Sequence, residues 1–73
     1  MEEQIRKIVD MMEQGRPDIV TYLAGVLFLN NGAVDQAAKE AFEKQTGYKV
    51  VAGKVMGLLG GYILADGEKW YFV

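Results

Sequence analysis

The chain contains no cysteine and no histidine. It can therefore form no disulfide, thiolate zinc site, thiol nucleophile or imidazole general base. No arginine follows Arg16, so the C-terminal two thirds has no guanidinium for bidentate guanine or carboxylate contacts. Long apolar runs are also lacking. The longest, Ile19 to Leu29, is interrupted by Thr21 and falls short of the roughly 20 residues needed to cross a bilayer. The first residues, MEEQIRK, are charged and have no apolar core of the kind a secretory signal needs. These absences lead us to expect a cytoplasmic protein with no membrane partner, no metal and no cofactor.

What remains is a small, moderately apolar chain. Seventy-three residues suit one domain, and 51% of them are apolar, enough to build a core. A chain of this size buries only about 60% of its unfolded surface, so that core is small. Charge is unevenly spread. Four basic residues face eight acidic ones up to Glu43, whereas after it four lysines face only Asp66 and Glu68. The C-terminal part is the cationic part.

Ile5, Ile8, Val9 and Met12 recur at helical spacing, with Glu2 and Glu3 at the favourable end of the dipole and Gly15 placed to cap the C-terminus. Pro17 and Asp18 suit the first turn of a second helix. That helix is apolar on nearly every side, which marks it as central, and Asn30-Asn31-Gly32 stops it. A third helix follows. Val34, Ala37, Ala38, Ala41 and Phe42 form its inner face, Gln36, Lys39, Glu40 and Glu43 its outer face, and Gly47 ends it. Core positions are expected at Leu23, Leu27, Phe42 and Leu58.

Residues 49–60 fit two descriptions. Tyr48, Val51, Val55, Leu58 and Leu59 share one side of a helix, while Val50, Val51 and Val55 favour a strand. The glycines weaken both, at roughly 1 kcal/mol each inside a helix. The length and the 51, 55, 58, 59 spacing favour a fourth helix. The tail GYILADGEKWYFV is clearer. Asp66-Gly67 is a hairpin signal, and a two-residue loop pairs Ala65 with Glu68, Leu64 with Lys69, Ile63 with Trp70 and Tyr62 with Tyr71. One face then carries Ile63, Trp70 and Phe72. The other carries Tyr62, Leu64, Tyr71 and Val73. Both are too apolar to be freely solvated, so one packs on the helices and the other is covered or meets a partner.

The order VLFLNNGAVDQAAKEAFEKQTG, VVAGKVMGLLGGYI, LADGEKWYFV resembles the winged helix-turn-helix family over residues 18–73. Leu58, Gly61, Tyr62 and Ile63 match the end of that family's recognition helix, and Asp66 and Gly67 match its wing tip. Residues 1–15 would be an added N-terminal helix. The resemblance implies an α+β fold, a winged-helix-like bundle of three to four helices followed by a C-terminal β-hairpin. It also implies DNA binding in a regulatory role, with a helix in the major groove and the wing on the backbone.

The leading expectation is a small winged-helix module that binds nucleic acid weakly in a regulatory role, and the alternative is an acidic protein-interaction or homodimerisation module. Lys49, Lys54 and Lys69 would contact phosphates, with ordinary solubilising charge as the competing reading. Three lysines without arginine support only weak, sequence-independent binding. Gly53, Gly57 and Gly60 fall on the outward side of a helical 49–60, bordered by Met56. Such a bare stripe suits a protein partner or a second copy, with Tyr71 on the hairpin beside it. Alternatively the segment is not a continuous helix, and one glycine supplies positive φ. Gly53-Lys54 is no phosphate loop, since Tyr48 and Val55 break that pattern. The carboxylate pairs Glu2/Glu3, Glu40/Glu43 and Asp66/Glu68 lack a nucleophile or base beside them, and the expectation is a protein that is not an enzyme.

Overall fold

The computed structural model describes residues 1–73. Its elements are α1 (Glu2–Glu13), α2 (Pro17–Phe28), β1 (Leu29–Asn30), β2 (Ala33–Val34), α3 (Gln36–Thr46), β3 (Lys49–Val55), β4 (Leu58–Ala65) and β5 (Glu68–Phe72). β1 and β2 form a small ribbon of their own, and β3, β4 and β5 make an antiparallel meander. The fold is α+β, with three helices packed on one face of a three-stranded sheet.

Local chemistry places the helix ends where the residues suggest. Arg16 and Gly15 donate to the carbonyls of Met11 and Met12, closing α1 in a Schellman arrangement with Gly15 at φ +69°. Pro17 opens α2. Asp35 caps α3 by accepting from the Ala38 N–H at 3.1 Å, and its other oxygen accepts from Asn30 at 3.2 Å, tying the ribbon to the helix. Gly47, at φ +78°, ends α3.

Three hairpin turns share one geometry. Asn31-Gly32, Met56-Gly57 and Asp66-Gly67 each have positive φ at both loop positions, the backbone of a type I′ turn. The last turn gives the expected register, Ala65 with Glu68 through Tyr62 with Tyr71. The first was read only as a helix stop. The middle one corrects the fourth helix. Residues 49–60 form β3, a turn and the start of β4, with Lys49 paired to Leu64 and Val55 to Leu58. Gly57, at φ +82°, supplies the positive φ, and Gly53 and Gly60 face each other across the strands. No recognition helix exists between α3 and the hairpin, so that part of the winged-helix resemblance has no counterpart here.

The core lies between the helices and the inner face of the sheet. Ile5, Ile8, Met12, Val20, Leu27, Phe28 and Phe42 meet Val50, Ile63, Ala65 and Phe72. Phe28 sits 5.3 Å from Phe42, edge-on, and 5.2 Å from Phe72. Leu27 and Phe42 are core as expected, and Leu23 packs half-buried against it. Leu58 does not; it is exposed at the tip of the meander, because the strand turns it to the far face. Ala37 is exposed as well, and Glu43 turns inward to accept the Val50 N–H at 2.8 Å. The same Glu43 forms an ion pair with Lys39 at 3.6 Å.

Leu27→Ala should cost about 2–5 kcal/mol, and Leu58→Ala less than about 0.5, measured by denaturant unfolding. Gly57→Ala should lower stability by about 1–2 kcal/mol, since alanine resists positive φ. Gly53→Ala should be neutral or stabilising, because its Cβ would enter open space and no positive φ is required. Opposite signs at these two glycines identify the hairpin; a helix would gain from both.

A candidate interaction face on the sheet

A strand turns alternate side chains to opposite faces. One face of the meander is filled by the core, and the other carries four cross-strand rows. Lys49, Leu64 and Lys69 make the first row, nearest the Asp66-Gly67 turn. Val51, Tyr62 and Tyr71 make the second. Gly53 and Gly60 make the third, with Val73 alongside. Val55 and Leu58 make the fourth, and Met56 projects beyond it at the turn. No helix covers any of these rows.

The face is apolar and open. Val55 is 72% exposed, Leu58 76%, Tyr71 61% and Met56 97%. A shallow depression of about 560 Å³ runs over Gly53 and Gly60, bounded by Val51, Val55, Leu58, Tyr71 and Val73. Gly53 leaves its side of the depression empty, while the Val73 side chain flanks Gly60. Tyr62 and Tyr71 form a ridge beside it, with ring centroids 5.7 Å apart. Lys69 folds its ammonium over the Tyr62 ring at 4.8 Å. No acidic residue lies on this face.

The sheet's edges are closed differently. α2 runs along β5, where the Thr21 hydroxyl donates to the Tyr71 carbonyl at 2.7 Å. Gly25 lets the helix approach so closely that a Cβ there would lie 2.7 Å from the Val73 carbonyl oxygen. At β3 the Glu43 carboxylate accepts the outward N–H of Val50. Both edges thus carry a side-chain partner that lowers their readiness to add strands. The broad face has no such cover.

No family model, curated protein or solved structure matches this chain. The site must be read from its own geometry.

The lysines separate. Lys49 and Lys69 flank Leu64 on the outer face, about 10 Å apart across two strand spacings. Lys54 pairs with Leu59 and points to the opposite side near the tip. The candidate interface residues fare better. Gly53, Gly60 and Tyr71 share the outer face, with Met56 and Gly57 at its tip. A hairpin brings them together, where a helix was expected. Val51, Val55 and Leu58 are the members that sequence reasoning missed. The strand propensity of Val50, Val51 and Val55 was the available signal.

Met56 is the anomaly of the face. Its φ is +52°, a region that asparagine or glycine occupies at less strain, and its side chain is almost wholly in water. Met56→Asn should raise the stability of the isolated domain by about 0.5–1 kcal/mol, read as an upward shift of Tm. A drop in Tm would show that the methionine serves the fold.

Proposed function

We propose that this chain is a protein-interaction module whose contact surface is the outer face of the β3–β4–β5 sheet. The observation that carries the reading is Met56, an apolar side chain held almost fully in water at a strained turn position, at the end of a continuous apolar face. Stability favours another residue there, so its presence is explained by contact.

The surrounding residues support the same reading. Val51, Tyr62 and Tyr71 offer stiff side chains that lose little freedom on binding. Lysines lie only at the far end, where charge belongs in the polar rim of an interface. The empty position at Gly53 gives a partner's side chain somewhere to go. Nothing polar converges on the depression, which argues against a small-molecule site.

The geometry favours this reading over nucleic-acid binding, because Lys54 lies on the opposite side of the sheet from Lys49 and the segment expected as a recognition helix is a hairpin. The remaining cationic feature, the Lys49–Lys69 pair, would hold about two phosphates and no more.

A photoreactive side chain at position 58 or 71, with position 7 on α1 as control, tests the proposal in the producing cells. Protein adducts are expected from 58 and 71 and not from 7. In parallel, a duplex of about 20 base pairs is titrated at about 50 and 200 mM salt, with no binding tighter than about 1 μM expected. Nucleic-acid adducts, salt-steep submicromolar binding, or no protein adduct from either face position would overturn the reading.

A further inference from the structure

Resting on that interaction face, we propose that its occupant is a second copy of this chain, stacked face to face across a two-fold axis with the strands reversed. A two-fold contact is isologous, so the face must carry both a ridge and the recess that receives it. This face does. Val51, at the end of the tyrosine row, stands one step from Gly53, above which the surface is empty.

Charge chooses the orientation. Two axes can bring such faces together, one along the strands and one across them. The first lays the Lys49 and Lys69 row of one copy on the same row of the other, four like charges with no acid on either face. The second sends the two lysine rows to opposite ends of the sandwich. We therefore place the axis across the strands, between the tyrosine row and the glycine row.

That placement fixes every pair. Val51 enters the recess at Gly53 of the other copy, Tyr62 lies over Gly60 against the Val73 side chain that flanks it, and Tyr71 meets Val73. Leu58 lands on Leu64 between the two lysine stems, whose ammonium groups reach water beyond the tip. The pairing is reciprocal, and all four rows are covered. Sheets packed this way lie about 10 Å apart.

The area suits a dimer at the weak end of the specific range. Three strands and four rows span about 14 by 20 Å, or about 300 Å² per face in flat projection. Corrugated side chains bring the pair towards the roughly 1,000 Å² that a specific interface requires. Half-association at about 10–100 μM is the expectation, with little dependence on salt because the contact is apolar.

Sedimentation equilibrium of the full chain from about 5 to 500 μM tests this, with unfolding followed for each variant. The 8.1 kDa chain should shift towards twice its mass as concentration rises. Leu58→Lys should weaken association at least about tenfold while the fold persists. Gly53→Val is the sharper variant. Its side chain enters open space in the monomer, so the fold should hold or gain stability, while the recess for Val51 is filled and dimerisation falls. A wild-type chain that stays monomeric throughout would overturn the second copy as occupant, yet protein adducts from positions 58 and 71 would still support the interaction face. A dimer unaffected by both substitutions would overturn the stacking.

Discussion

Phe28 packs between Phe42 and Phe72, and the rest of the structure depends on that contact. It joins the end of α2 to α3 and to the last residue of β5, three segments far apart in sequence. All three rings are fully or almost fully buried. α2 is therefore held along β5, where Thr21 and Gly25 complete the contact. α3 is held under β3, where Glu43 reaches Val50. α1 adds Ile5, Ile8 and Met12 to the same core.

The same constraint leaves one face of the sheet bare. Three short helices suffice to cover one side of a three-stranded meander and no more. A chain of this length gains its stability from one small core. The outer face could have been made polar at no loss to that core, as one-sided antiparallel sheets usually are. Here it carries valine, leucine, tyrosine and methionine, and its lysines stand at one end. The asymmetry of charge along the chain thus becomes an asymmetry in space. Eight of the ten acids lie on the helices or at their caps, Asp66 and Glu68 sit at the β4–β5 turn, and the outer face of the sheet has none.

Much of this was legible beforehand. Gly15, Pro17 and Gly47 punctuate the helices by their backbone requirements, and Asp66-Gly67 dictates the β4–β5 register without ambiguity. Two other turns were hidden for different reasons. Asn31-Gly32 ends helices and closes hairpins with the same left-handed backbone, so the ribbon was masked by the helix stop before it. Met56 carries no turn signal at all. Val51, Val55 and Leu58 happen to fit helical spacing, and the glycines removed the alternation that would have revealed a strand. Gly53, Gly60 and Tyr71 do share a surface, but as cross-strand neighbours, and Leu58 belongs to that surface and not to the core. No helix is long and apolar enough to cross a membrane, in keeping with the absence of long apolar runs.

The most direct test of the account is a dilution series followed by amide and methyl NMR shifts. If two copies stack through the sheet, shifts that depend on concentration should gather at Val51, Gly53, Val55, Leu58, Gly60, Tyr62 and Tyr71, and leave Arg6, Lys7 and Asp10 on α1 unmoved. Shifts centred on the helices, or none across the whole range, would contradict it.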